Sequence, residues 1–172
     1  MSRFDASQAE VFVFTFKEGA LSALAHDLKI QVTKLQLEAG AESVTATFDA
    51  GSLRVVCPRK EGRDNPGALP AMLHGEIEKN IVKDVLEAAK FPEAKFVSTR
   101  VTQTEVVGQL TLHGVTRELR CTRLNGTVEA RLDQRDFGIK PYSAMFGTLK
   151  VKPEVLVTVR LAEGVVAAER AS

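Results

Sequence analysis

FPEAKFVST (Phe91–Thr99), followed after a short gap by VVGQLTLHGVTREL (Val106–Leu119), reads as one strand, a turn, and a strand pair folded at His113–Gly114. Apolar and polar residues alternate along the run, the period of two that sends successive side chains to opposite faces of a sheet. Nothing in it has the form of a catalytic motif. It has the form of the wall of an antiparallel barrel, and a small barrel can hold one elongated apolar molecule.

The alternation extends in both directions. VFVFTF (Val11–Phe16) sets Phe12, Phe14 and Phe16 on one face against Val11, Val13 and Thr15. Leu28, Ile30 and Val32 share a face, whereas Leu35 and Leu37 have the opposite parity. A bulge at Thr33–Lys34 is expected to restore a single inward face. Ser43–Asp49 groups Val44, Ala46 and Phe48 against Thr45 and Thr47. Further strands are expected over Lys95–Gln103, Val106–His113, Val115–Leu124 and Thr127–Asp136. Asn125–Gly126 is the strongest turn signal, because both residues tolerate the positive φ of a two-residue hairpin. A last strand pair is expected at Thr148–Val151 and Glu154–Leu161, and the tail 162–172 is expected to fray or form a short helix.

One segment breaks the pattern. Pro58–Pro70 (PRKEGRDNPGALP) is dense in Pro, Gly, Asp and Asn and is read as a loop without regular structure. After it, Met72, Leu73, Ile77, Ile81, Val85 and Leu86 recur at steps of three and four. That spacing predicts an amphipathic helix within Ala71–Ala89, with breaks near Gly75 and Val85, ended by Phe91–Pro92. The expectation is a mainly β chain: an eight-stranded antiparallel barrel with one inserted helical segment at about residues 71–89. It forms a single domain over 1–172, with the barrel core at about 9–162.

Composition narrows the function. The chain has 172 residues, 44% apolar and 26% charged, with a net charge of +1. One domain of this size buries a sizeable core without staples. A nucleic-acid partner would call for clustered excess base, so none is expected. No segment approaches the roughly 20 apolar residues of a membrane-spanning helix. The N-terminus MSRFDASQAEVF is polar, lacks the form of a secretory signal, and gives the expectation of a cytoplasmic protein. Cys57 and Cys121 could pair, but reduced, buried thiols are the expectation in that compartment.

Six segments resemble the YceI-like family of lipocalin-like proteins: HDLKI (His26–Ile30), SLRV (Ser52–Val55), KDVLEAAKFPEAKFVST (Lys83–Thr99), VVGQLTLHGVTREL (Val106–Leu119), RDFGIKP (Arg135–Pro141) and GTLKVKPEV (Gly147–Val155). The resemblance runs from about His26 to Leu161. It implies an extended eight-stranded barrel with helices at one side. It also implies a bound long apolar ligand: a polyisoprenoid, an isoprenoid quinone or a fatty-acid derivative. Many members carry a signal peptide and work in the periplasm, from which this chain departs. Some members are dimers, so the resemblance admits a homodimer.

The candidate cavity lining is Phe12, Phe14, Phe16, Ile30, Val32, Phe48, Phe96, Leu110, Leu112, Leu119 and Leu132, with Met72, Leu73, Ile77 and Ile81 of the helix plugging one end. Met72 and Met145 would adapt to a flexible ligand. Burial of a ligand of about 30 heavy atoms at about 0.3 kcal/mol each reaches about 9 kcal/mol, a sub-micromolar affinity. His26 and Asp27, just ahead of a strand, are candidates for contact with a polar head group or for a structural pair anchoring a loop. His113 is read as a turn histidine bonded to its own loop. His74 lies on the helix, and no H-x-x-x-H or C-x-x-C spacing marks a metal site. No G-x-S-x-G elbow or Gly-rich phosphate loop is present, and no cofactor is expected. Arg117 could be buried if its strand parity holds, whereas Arg135 is expected at the surface.

The leading expectation is therefore a non-enzymatic, bacterial-type carrier or store for a long apolar amphiphile. Two alternatives stay open. One is an enzyme on the same scaffold using His26, Asp27 and His113. The other is a solid-cored module that binds a partner protein through its outer surface.

Overall fold

In the computed structural model, which describes residues 1–20 and 25–161 (the Met145 side chain excepted), fifteen extended segments carry the fold. In chain order they are β1 (Ser2–Asp5), β2 (Ala9–Thr15), β3 (Lys17–Glu18), β4 (Asp27–Val32), β5 (Leu35–Ala39), β6 (Val44–Asp49), β7 (Leu53–Lys60), β8 (Arg63–Asp64), β9 (Glu93–Val101), β10 (Glu105–Leu112), β11 (Val115–Leu124), β12 (Thr127–Asp133), β13 (Ser143–Ala144), β14 (Leu149–Val151) and β15 (Glu154–Leu161). The expected tail at 162–172 lies outside the described residues, as does the expected role of the Met145 side chain. Among the described residues, no helix is long and apolar enough to cross a membrane.

Fifteen segments replace the expected eight because a bend divides β4 from β5, and short strands are added at the sheet edges (β1, β8) and in a separate small sheet (β3, β13, β14). The bend at Thr33–Lys34 is held by Ser52, which is only 2% exposed. The Thr33 N–H and hydroxyl both donate to the Ser52 carbonyl, at 3.0 and 2.6 Å, and the Lys34 N–H donates to Ser52 Oγ at 3.0 Å. Before the bend β4 pairs with β2 and β7; after it β5 pairs with β1 and β6. The parity change keeps Ile30, Val32, Leu35 and Leu37 all buried. The antiparallel ladders run β5–β6–β9–β10–β11–β12–β15–β2–β4, and through the bend they lead back to β5. The sheet is thus curled round a core, with β1 and the β7–β8 hairpin at its two edges.

Tight turns set the registers. His113 and Gly114 have φ of 53° and 74°, and Asn125 and Gly126 have 51° and 77°. Two positive-φ residues in a row are what a type I′ hairpin requires. Gly108 has a different role. A Cβ placed there would lie 2.4 Å from the Val97 carbonyl oxygen and 2.5 Å from the Phe96 ring, at a register shift between β9 and β10. Phe91 packs on the next turn. Its ring centroid is 4.3 Å from that of His113, and a Cβ on Gly114 would sit 2.8 Å from the same ring.

Three sequence expectations need correction here. Pro58–Pro70 is not all loop: β7 runs through Pro58 to Lys60, then turns at Glu61–Gly62 (φ 52° and 76°) into β8. Pro58 sits beside the irregularity in the β4–β7 ladder at Lys29/Ile30, where a missing donor is tolerated. β14 does not pair with β15. The Lys152 N–H donates to the Phe16 carbonyl and the Pro153 carbonyl accepts from Gln134, so the chain crosses over instead of folding back. β14 joins β13 and β3, while β15 joins β12 and β2.

The helical stretch is shorter than expected. A 3₁₀ turn at Ala71–Leu73 leads into α1 (His74–Asn80) and then a π-type turn at Ile81–Val85. It stops at Glu87, which takes φ 48°. Glu78 Oε1 accepts the Val55 N–H at 3.0 Å, so α1 satisfies one main-chain donor of β7.

Candidate functional site: an apolar cavity inside the curled sheet

A cavity of about 720 Å³ occupies the interior. β4 and β6 bring Ile30, Val32 and Phe48 to its wall, β9 to β11 bring Phe96, Leu110, Leu112 and Leu119, and β12 brings Leu132. Ile77 of α1 and Ile81 of the π-type turn close one side, joined by Val85 and Leu86. The inward positions follow from registers in which alternate residues face the core. Leu110 stands opposite Phe96 across β10–β9, and Ala130 stands opposite Val157 across β12–β15.

Phe12, Phe14 and Phe16 do not line the cavity; Val11, Val13 and Thr15 do. The parity is reversed because Val13 stands opposite Ile30, whose inward placement is fixed, while Phe14 stands opposite Lys29. A lysine ammonium in an apolar interior would lose its hydration without a partner, so that face turns outward. There Lys29 Nζ sits 4.5 Å from the Phe12 ring centroid and the Arg59 guanidinium 4.6 Å from that of Phe14. Met72 and Leu73 are also outside, 85% and 46% exposed. They lie in the 3₁₀ turn, whose three-residue pitch takes them out of phase with the inward face of α1.

The residues that sequence reasoning passed over are mostly small or β-branched: Val106, Val128, Ala130, Val155, Val157 and Val159. Their alternation along β10, β12 and β15 was the available signal. Cys121 of β11 also faces in, and burial pushes its thiol up to about 11. Cys57 is buried but off the cavity, and both cysteines are free.

The polar candidates separate. His26 lines the cavity, whereas Asp27 turns back and its Oδ1 accepts the Lys17 N–H at 2.8 Å. His113 lies away from the cavity: Nε2 is 2.6 Å from Glu87 Oε2 and Nδ1 is 3.3 Å from the Phe137 carbonyl. The three groups do not converge on one face of the cavity. Arg117 and Arg135 are both on the surface, with the Arg117 Nε–H donating to the Asp136 carbonyl and Arg135 paired with Asp133.

The registers also give the cavity two distinct ends. Thr15, Lys17, His26 and Tyr142 mark one, beside the small sheet β13–β14–β3. Gly40, Arg123, Gly126 and Arg160 mark the other. Between them the wall is almost wholly hydrocarbon.

An antiparallel sheet curled round an internal apolar cavity defines a β-walled protein of lipocalin-like build. This chain belongs to the YceI-like family, whose model, described as a YceI-like domain, matches residues 3–162. A UPF0312 protein of Pseudomonas savastanoi pv. phaseolicola is 42% identical over 39% of this chain and 45% of its own length. One from Pseudomonas putida strain W619 is 38% identical over 44% of this chain and 50% of its own. The chain spans about half the length of the curated relatives it matches. Among solved structures, Burkholderia cenocepacia BcnA shares the fold with a TM-score of 0.55 at 17% identity, covering 89% of this chain and 94% of that one. A polyisoprenoid binding domain from Saccharophagus degradans aligns over 94% of this chain and 98% of its own, with a TM-score of 0.46 and 12% identity.

Proposed function

We propose that this protein binds, stores or carries a long apolar amphiphile in its cavity and catalyses no reaction on it. A polyisoprenoid, an isoprenoid quinone or a fatty-acid derivative has the required shape. The carrying observation is the volume of about 720 Å³ bounded by aliphatic side chains from the wall strands and by Ile77 and Ile81 of the helical stretch. That volume falls in the range of about 300–1,000 Å³ typical of small-molecule sites. A solid-cored module would have filled it. The tail would lie against Val13, Leu110 and Val157, with its polar head near His26. The reading includes a reducing, cytoplasmic setting, supported by two free cysteines.

Organic extraction of the purified protein followed by mass spectrometry, together with titration of farnesol, a short-chain ubiquinone and oleic acid, tests the reading. A bound lipid or micromolar or tighter binding is expected. Ala130→Trp places an indole in the cavity, so it should weaken binding tenfold or more while circular dichroism stays native. Repeated absence of lipid, with no binding of any of the three, would overturn the proposal.

A further inference from the structure

We infer that the end of the cavity at Lys17 and His26 selects amphiphiles with an acidic head, a carboxylate or a phosphate; this rests on the carrier reading above. Lys17 stands opposite Val151 in the β3–β14 pair. Lys17 itself lines the cavity, as do Leu149, Lys150 and Val151 of β14. The half-buried Lys17 ammonium reaches only the Ala25 carbonyl, at 3.5 Å.

The nearby carboxylates are committed elsewhere. Glu18 is 3.7 Å from Lys150 Nζ, and Asp27 spends Oδ1 on the Lys17 main-chain N–H. Asp49, the acidic residue of the cavity wall, caps the following 3₁₀ turn by accepting the Gly51 N–H at 2.7 Å. Several other cations of the fold have acids: Lys29 has Asp64, Arg131 has Glu154 and Arg135 has Asp133. Lys17 has no carboxylate within 4 Å among the described residues, and it sits at the rim of an apolar chamber. His26 also lines this end without a hydrogen-bond partner among the described residues, and Tyr142, whose carbonyl accepts the Val151 N–H at 3.0 Å, lines the cavity from the small sheet.

Ammonium, imidazole and phenol all offer donors, and an ammonium offers nothing else. Such a set complements an anionic oxygen better than a neutral hydroxyl, because hydrogen bonds between ionised partners are about twice as strong. The cations of the other end are already engaged: Arg160 Nη2 lies 2.7 Å from Glu10 Oε2, and Arg123 Nη1 lies 3.3 Å from the Thr102 carbonyl. The ligand's polarity is therefore set: head at Lys17, tail running towards Val128 and Val159.

The experiment is displacement of the neutral dye N-phenyl-1-naphthylamine at pH 8 by two matched pairs, oleic acid against oleyl alcohol and farnesyl phosphate against farnesol. The acid of at least one pair should bind about tenfold tighter than its alcohol, and the two pairs tell carboxylate from phosphate. Lys17→Met should bring acid and alcohol within about twofold of each other, and Lys17→Arg should keep the preference. Equal binding of acid and alcohol by the unmodified protein overturns the inference and leaves the carrier reading standing. A preference that survives Lys17→Met removes Lys17 from the site. Failure of all four ligands to bind removes both readings.

Discussion

β2 and the β10–β11 hairpin are both parts of one wall, and they dispose of bulk in opposite ways. In the hairpin the large side chains Leu110, Leu112 and Leu119 face the cavity, and Gln109, Thr116 and Glu118 face out. In β2 the large side chains Phe12 and Phe14 face out, and the smaller Val11 and Val13 face in. The difference lies in the neighbours. The hairpin has one polar face, so its parity is settled locally. β2 is apolar on both faces, and its parity is settled by Lys29 and Gln31 across the β4 ladder. The outward rings become platforms for Lys29 and Arg59, contacts worth about 0.5–1 kcal/mol each at exposed sites. Size does not tell inside from outside where the partner strand already has a phase.

The comparison can be broken first at its tightest point. Gly108→Val drives a branched side chain into the Val97 carbonyl and the Phe96 ring, and should cost about 3 kcal/mol or more in urea unfolding. Gly67→Val, where nothing lies within 4 Å of the Cβ position, should cost far less. Equal costs would refute the close approach of β9 and β10. Next comes chemical access to the inner face. With its thiol pushed up to about 11, Cys121 is about 0.1% thiolate at pH 8. Peptide mapping after iodoacetamide treatment should show Cys121 reacting more than about 100-fold slower than in the unfolded chain, and slower still with farnesol present. Rapid labelling in the native state would place Cys121 outside.

The aromatic reversal itself is tested by truncation. Phe96→Ala should cost about 2–3 kcal/mol, and Phe12→Ala about 1 or less, because the second ring is half-exposed. The reverse ranking would restore the inward reading of β2. The smallest effect concerns the outer face. Lys29 first, and then Arg59, hold the Asp64 carboxyl below its usual value of 3.8. That stabilisation is present above the ordinary carboxylate range and fades as the pH falls through the lowered value. Asp64→Asn should therefore cost at most about 1 kcal/mol at pH 7, with the gap from the parent closing towards pH 3. A gap that widened on acidification would show that the cluster does not act through ionised Asp64.

Much of this wall is legible without coordinates. The hairpins at His113–Gly114 and Asn125–Gly126 follow from turn chemistry, and the bend at Thr33–Lys34 from the parity jump between Val32 and Leu35. Ile77 and Ile81 carry the helical period that turns them inward. The remainder depends on non-local partners. Pro58 masks a strand because the bulge beside it, at Val56 of β7, exists only in the pairing with β4. Met72 and Leu73 have the spacing of α1 but sit in a turn of different pitch. Lys17 gives no sign in the sequence, since its place on the cavity wall is set by pairing with Val151, more than a hundred residues away.

Ala9 lies opposite Leu161, and Glu10 opposite Arg160, so strands from the two extremes of the fold complete the wall together. During synthesis the chamber stays open until β15 has emerged, and the flanks of β2 and β12 wait without their shared neighbour. Non-local pairing of this kind is slow to form and exposes sticky edges in the interval. Closure of the chamber is thus an event that waits for β15, and a nascent chain halted before Glu154 would be one for the quality-control machinery.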